Sequence, residues 1–172
     1  AARKIELKLI RNGSRGACWL EPLVEVVTPK GRVAYGPVSV SDVPGLFAAD
    51  FLNGKGHQLF LGLTDEIPWF ASQQRLTFAR VGIVDPAGVA DFVANGGYQG
   101  LRRALSMTPQ AIVQAVLDSG LRGRGCAAFP TGIKWKTVLD QVVEQKFVTC
   151  NADEGDSGTF SDRMLMEGDP LC

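Results

Sequence analysis

The stretch LRGRGCAAFPTGIKW, Leu121 to Trp135, dominates the interpretation of this 172-residue chain. Its glycines let the backbone turn sharply and bring N–H groups close to a ligand, because no Cβ stands in the way. The arginines and the lysine of the same stretch favour an anion, most often a phosphate. A glycine-rich surface turn with solvated arginines has the same composition. Both interpretations stay open on this stretch alone.

A helix, and not a strand, is predicted in front of this loop. Thr108-Pro109 is a strong helix start, with a cap residue and an N1 proline, and the helix ends at Ser119-Gly120. Residues 123–128 fit the GxGxxG/A dinucleotide fingerprint, but that fingerprint needs a strand before it and a helix after it. Ile133 follows Gly132 where a Walker A loop has lysine. Neither standard phosphate loop is therefore present.

The composition is that of a globular protein, with 45% hydrophobic and 21% charged residues. Because 18 basic residues balance 18 acidic ones, we expect no general attraction to nucleic acid or to a membrane surface. No apolar run is long enough to span a bilayer, and the start lacks a signal-peptide pattern. The size and cysteine density favour reduced thiols in a cytoplasmic compartment over a secreted disulfide scaffold. The four cysteines are scattered without a CxxC pair, so a zinc or iron–sulfur site made by this chain alone is not expected.

The first part of the chain is predicted to be the strand-rich half of a small α/β domain. Apolar and charged residues alternate from Lys4 to Ile10, as in a half-buried strand. A hairpin is predicted around Thr28-Pro29-Lys30-Gly31, and a short helix capped by Ser41 or Asp42 follows it. The remaining predictions are strands at 23–27 and 31–38, a linker over 63–80, and helices that begin after Asp85 and near Tyr98.

A second cluster of polar residues lies after the loop. Helical spacing of apolar residues from 133 to 143 leads to Phe147–Cys150, a short apolar run suited to a buried parallel strand. Ligands of open α/β sheets gather at the carboxyl ends of strands, where the polar residues 151–156 follow. A capping box at 159–162 is predicted to open a last helix. The acids have three interpretations: a metal site, a solvated loop, or partners for a heterocycle and sugar hydroxyls.

Two stretches together resemble a known flavoprotein family. These are SGLRGRGCAAFPTGIKW (119–135) and FVTCNADEGDSGTFSDRMLMEGDP (147–170). The family carries FMN and oxidises or reduces NAD(H); it includes the NADH-binding subunit of complex I and the diaphorase subunit of NAD-reducing hydrogenases. A third branch is the beta subunit of molybdenum-dependent NAD formate dehydrogenases. The motifs WLEPLVEV, EIPW and DEGDSGTFSDRM are most similar to that third branch.

The resemblance implies an α/β chain made of two partial domains. Residues 1–62 are expected to be the C-terminal part of a thioredoxin-like domain, and 63–107 a linker and helical connector. Residues 108–172 are expected to be the N-terminal part of the complex I type FMN-binding α/β domain. Because the later flavin contacts and the cluster cysteines of the family have no counterpart up to Cys172, we expect a fragment of a longer subunit.

The resemblance also implies roles for residues of the glycine-rich stretch. Gly123, Arg124 and Gly125 are expected to line the flavin and its phosphate. Lys134 is expected close to both the flavin and the nucleotide. Phe129 offers a ring face for stacking the NAD adenine.

Further cofactor-binding residues are implied in the polar cluster. Asn151, Asp153 and Glu154 are expected to bind FMN, and Asp156 to face the nicotinamide end of NAD. No catalytic side chain and no metal ligand is implied, because hydride passes directly between NAD and FMN. Cys126 stands where the family usually has glycine, and its thiol is expected to crowd the flavin.

The function implied is that of an electron-transfer subunit that exchanges hydride between FMN and NAD. Iron–sulfur clusters are expected to couple it to formate oxidation in a partner. The implied partners are NAD(H), a catalytic molybdenum/iron–sulfur subunit and a small iron–sulfur subunit. One cluster is expected in the full-length subunit, without ligands in this stretch. The alternatives are a diaphorase subunit of an NAD-reducing hydrogenase or NADH-quinone oxidoreductase, and a truncated, redox-silent fragment.

Overall fold

The computed structural model describes residues 4–124 and 127–172. Contacts within the chain divide it into two units. The first contains the described residues up to Asn95 together with Glu154–Cys172, and the second is Gly96–Asp153. The domain boundaries after residues 62 and 107 were inferred from resemblance and stay a prediction.

A three-stranded antiparallel sheet lies in the first unit. Its strands are β1 (Val24–Thr28), β2 (Gly31–Tyr35) and β3 (Phe60–Leu63), in the order β1-β2-β3. The register of β1 and β2 runs from Val24 opposite Tyr35 to Thr28 opposite Gly31, which confirms the predicted hairpin. β3 was not predicted, because its apolar run is short and contains a glycine.

The hydrophobic core of this unit forms between the sheet and the segment that follows β2. Helix α1 (Val43–Ala48) confirms the predicted short helix, and a 3-10 turn at Phe51–Asn53 comes after it. Tyr35 is fully buried, and its hydroxyl donates to the carbonyl of Lys55 at 2.7 Å. Edge-to-face aromatic packing joins Tyr35 to Phe51, with ring centroids 5.8 Å apart. The buried members of this cluster are Val33, Tyr35, Val38, Leu46 and Phe51.

Three more helices belong to the first unit. They are α2 (Pro68–Ala71), α3 (Val89–Ala94) and, after the second unit, α7 (Ser161–Gly168). α2 lies inside the segment that was predicted to be a linker. α3 begins a few residues after the predicted helix entry at Asp85-Pro86.

The C-terminal end of α7 is anchored to the segment around Arg80. The carboxylate of Asp169 is 2% exposed and accepts a hydrogen bond from Arg80 Nε at 2.8 Å. The Arg80 guanidinium lies 4.7 Å from the centroid of the Phe92 ring, within cation–π distance. Gly168 sits against Val81, because a Cβ at position 168 would lie 2.6 Å from a methyl carbon of that valine. An ion pair and a close backbone approach therefore hold this end of the helix.

The second unit contains α4 (Gln99–Ala104), α5 (Pro109–Asp118) and α6 (Thr131–Leu139). The hydroxyl oxygen of Thr108 accepts from the N–H of Ala111 at 3.2 Å, which confirms the predicted cap. α5 and α6 approach so closely at Gly132 that an added Cβ would lie 2.8 Å from the backbone and Cγ of Leu117. Glycine at this position is therefore a packing requirement.

Two predicted strands are wrong. Residues 4–10 are not a strand, and the apolar residues of the alternation are exposed, Leu9 by 80%. A groove of about 810 Å³ is lined by residues of this segment and of β1. Phe147–Cys150 is not a strand either, and Val148 is 100% exposed. The physical reason is the same for both segments. A strand needs a neighbour for its N–H and C=O groups, and no other described strand pairs with either segment.

The mixture of short helices and a small antiparallel sheet is compatible with the predicted α/β class. The thioredoxin-like arrangement of the first part stays a prediction. In the parts of the chain that the structure describes, every helix is too short or too polar to cross a membrane.

We predict that Gly132→Ala destabilises the protein by about 1–3 kcal/mol, because the new methyl group forces α5 and α6 apart. Gly100→Ala in α4 is the matched control. No atom lies within 4 Å of a Cβ at position 100, so this change should stabilise the protein, by up to about 1 kcal/mol. Urea unfolding of the two variants measures the difference, and equal midpoints would contradict the packing argument.

Candidate functional site

The glycine-rich stretch folds into a narrow hairpin between α5 and α6. The N–H of Gly123 donates to the carbonyl of Phe129 at 2.9 Å, and the N–H of Thr131 donates to the carbonyl of Leu121 at 2.9 Å. An isolated antiparallel bridge joins Arg122 to Pro130. The predicted site residue Gly125 and its neighbour Cys126 lie outside the described residues.

Phe129 and Lys134 are brought together at the base of this hairpin. The ammonium nitrogen of Lys134 lies 5.6 Å from the centroid of the Phe129 ring, a cation–π distance. Ala128 has a φ of +44° and turns the chain immediately before the aromatic residue. The Phe129 ring remains 44% exposed, so part of its surface is available to a ligand.

The hairpin also has a basic character. Arg122 Nη1 donates to the carbonyl of Ala128 at 3.2 Å, so this arginine braces the hairpin, a role that the sequence did not indicate. Gly123 and Arg124 are exposed. A Cβ on Gly123 would lie 3.7 Å from its nearest neighbour, so packing within the chain does not demand glycine there.

Asn151 and Asp153 form a local turn. The side-chain oxygen of Asn151 accepts from the N–H of Asp153 at 3.2 Å, as in an Asx turn. Both residues are exposed, and the segment before them is not a strand. Asn151 and Asp153 therefore do not lie at the carboxyl end of a strand, which corrects the prediction.

Glu154 binds the start of helix α7. Its Oε1 accepts from the hydroxyl of Ser161 at 3.0 Å and from the N–H of Asp162 at 2.9 Å, and its Oε2 accepts from the N–H of Arg163 at 3.1 Å. One carboxylate thus satisfies two of the N–H groups that every helix leaves without an internal partner at its start.

The predicted capping box at 159–162 does not form. The N-cap residue is Phe160, which has no hydroxyl, and the hydroxyl of Thr159 donates to the carbonyl of Asp156 at 3.0 Å instead. A capping box spans only the four residues from N-cap to N3, and Glu154 caps the helix from a position before them. The sequence therefore carried no local signal for its role.

The hydrogen bonds of Glu154 change its acidity. Desolvation raises the pKa of this carboxyl, but the N–H groups of Asp162 and Arg163 and the hydroxyl of Ser161 outweigh that effect. The pKa of Glu154 therefore lies below its ordinary value of 4.5. A carboxyl whose pKa is lower in the folded than in the unfolded protein stabilises the fold at any pH above its unfolded pKa. That stabilisation is lost as the pH falls through the pKa of the folded protein.

The predicted site residues fall in both units. Gly123, Arg124, Phe129, Lys134, Asn151 and Asp153 belong to the second unit, and Glu154 and Asp156 to the first. Across residues 4–124 and 127–172, no three His, Cys, Asp or Glu side chains are placed to hold a metal ion. The acids at 153–156 therefore do not form such a group.

The site residues can now be compared with known proteins. Residues 116–171 match the Nuo51 FMN-binding domain of the Complex1_51K family. The match to this FMN-binding domain begins in α5 and includes the hairpin, α6 and α7. It covers every residue for which a cofactor role was predicted.

Curated relatives match a similar part of the chain. The chain is 50% identical over 98 residues to the NADP-reducing hydrogenase subunit HndC of Solidesulfovibrio fructosivorans, covering 57% of the chain and 20% of that relative. It is 50% identical over 92 residues to an NADH-quinone oxidoreductase subunit of Rhizobium meliloti, covering 53% and 22%. The NAD-reducing hydrogenase HoxS subunit alpha of Cupriavidus necator is 49% identical over 70 residues, covering 41% and 12%. The chain thus spans about a fifth of the length of the first two relatives.

We predict that the start of α7 loosens as the pH falls below 4.5, because protonation of Glu154 removes its cap. Hydrogen exchange at the amides of Asp162 and Arg163, corrected for intrinsic rates, measures this effect. In Glu154→Gln the same amides should exchange faster than in the wild type at neutral pH, with little further change on acidification. Equal protection in both proteins at neutral pH would contradict the cap.

Proposed function

We propose that this chain is part of a flavoprotein subunit that binds FMN and exchanges hydride with NAD. The observation that carries the proposal is the match of residues 116–171 to an FMN-binding domain, with all predicted cofactor residues inside the matched range. Relatives named as NADH-quinone oxidoreductase and NAD-reducing hydrogenase subunits support NAD as the second cofactor.

The residues of the hairpin fit a ligand with a phosphate and an aromatic ring. Arg122, Arg124 and Lys134 supply positive charge on one short segment, and charge-assisted hydrogen bonds to phosphate are strong. The exposed part of the Phe129 ring offers a stacking surface beside the Lys134 ammonium group. In the proposed site Gly123, Arg124 and Gly125 line the flavin, Lys134 lies by flavin and nucleotide, and Phe129 stacks the adenine.

Further cofactor-binding residues are proposed among the polar residues after Cys150. Asn151 and Asp153 present amide and carboxylate groups to the flavin. The resemblance groups Glu154 with them. Asp156 faces the nicotinamide end of NAD. Bound FMN supplies hydride chemistry and single-electron exchange. The chain's own residues bind and orient both cofactors, and none is required to act as an acid or base in the hydride step.

We further propose that the whole protein is the beta subunit of a molybdenum-dependent, NAD-linked formate dehydrogenase. The motifs WLEPLVEV, EIPW and DEGDSGTFSDRM support this branch. On this proposal the cytoplasmic complex also contains a catalytic molybdenum/iron–sulfur subunit and a small iron–sulfur subunit. A diaphorase role in a hydrogenase is the second candidate, favoured by the names of the HndC and HoxS relatives.

We predict that Lys134→Ala weakens FMN or NADH binding about tenfold or more, because it removes a hydrogen-bonding cation from the proposed site. Lys136→Ala is the matched control on the same helix, since Lys136 pairs with Asp140 one turn further along. Titration of the apoprotein with FMN, followed by flavin fluorescence, and titration of the holoprotein with NADH compare the two variants. Equal affinities in both would remove Lys134 from the site.

NAD⁺ reduction by the purified complex, with formate or with hydrogen as electron donor, distinguishes the two candidates. We predict that the complex is yellow, with a flavin absorbance band at about 450 nm, and that it reduces NAD⁺ with formate. Reduction with hydrogen and not with formate would favour the hydrogenase candidate and contradict the formate assignment. A colourless protein that takes up no FMN would instead favour the redox-silent alternative.

A further inference from the structure

We infer that Glu154 is a positioning residue, which caps α7 and so holds the loop of residues 154–161, with Asp156, in the shape that NAD requires. The inference rests on the proposed function, but it assigns Glu154 a role other than direct contact with the flavin. Glu154, Asp156 and α7 all belong to the first unit.

Both oxygens of the Glu154 carboxylate are already engaged. Three donors from Ser161, Asp162 and Arg163 bind them at 2.9–3.1 Å. Three of the roughly four acceptor positions of a carboxylate are thus occupied, and two of the donors are N–H groups that α7 cannot satisfy within itself. The geometry therefore favours a carboxylate that supports the loop and leaves the flavin to its neighbours.

The backbone of Glu154 points to the same role. Its φ is +49°, in the left-handed region that residues other than glycine and asparagine rarely adopt. Glycine would relieve this strain but has no side chain to reach α7. Strained backbone persists only where surrounding interactions hold it in place. The hydrogen bonds of the Glu154 carboxylate to α7 are such interactions, and they explain why glutamate occupies this turn.

The loop closed by this cap contains Asp156. The carbonyl of Asp156 accepts from the N–H of Thr159 at 3.3 Å and from its hydroxyl at 3.0 Å, so a tight turn lies inside the larger loop. Asp156 itself is exposed. The cap thus fixes both ends of the loop 154–161. Asp156, the residue proposed to face NAD, lies within this loop.

The far end of α7 makes this support rigid. Asp169 pairs with Arg80, and Gly168 packs against Val81. Because α7 is held at its C-terminal end, a carboxylate bound to its N-terminal end is tied to a fixed element. Loss of the cap should therefore release the loop without unfolding the helix.

The test uses the full-length subunit in its complex, with Glu154→Gln, Ser161→Ala and the double variant. We predict that each single change raises the KM for NADH about threefold to tenfold, the scale of one lost hydrogen bond, while FMN content stays equal to that of the wild type. The double variant should show less than the product of the single effects, because both changes act through one cap. Glu144→Gln, the same chemical change at an exposed residue outside the proposed site, is the control and should leave KM and FMN content unchanged.

Two results would overturn the inference. If Glu154→Gln loses FMN while Ser161→Ala behaves as wild type, Glu154 binds the flavin directly. If the amides of Asp162 and Arg163 exchange faster in both variants and the KM for NADH does not move, the cap is structural only. Failure of the proposed function is distinguishable from both, because a wild-type complex without FMN or NADH oxidation would show it before any substitution.

Discussion

The contact between Gly132 and Leu117 is the constraint on which the second unit depends. It lets the backbones of α5 and α6 approach to a distance that any side chain at 132 would prevent. The hairpin between them is then short enough to be closed by two backbone hydrogen bonds. Phe129 and Lys134 meet because the hairpin ends immediately before α6 begins.

A different kind of constraint shapes the acidic segment in the first unit. Here the N–H groups at the start of α7 bind the carboxylate of Glu154, and the ion pair between Arg80 and the buried carboxylate of Asp169 holds the helix at its other end. Helix capping usually draws on a residue next to the helix. The longer reach of Glu154 closes the loop that contains Asp156.

Local patterns predicted some elements well, and their success has a physical reason. The β1–β2 hairpin and the start of α5 depend on residues close in sequence: a turn at Pro29-Lys30, and Thr108 with Pro109. The segments 4–10 and 147–150 have strand-like sequences, yet strand formation depends on a partner that the pattern of one segment does not describe. β3 was missed for the converse reason, because pairing with β2 stabilises a run too short to be recognised alone.

The sequence by itself determined the α/β composition of elements, the glycine-rich loop between two helices, and the residue types that resemble an FMN-binding site. The match of residues 116–171 to an FMN-binding domain agrees with that interpretation. Only the tertiary structure decided that Gly132 is required by packing, that Arg122 braces the hairpin, and that Glu154 caps α7. In each case the contact joins residues that are apart in the sequence and close in space. The sequence pattern of one segment does not contain that distance.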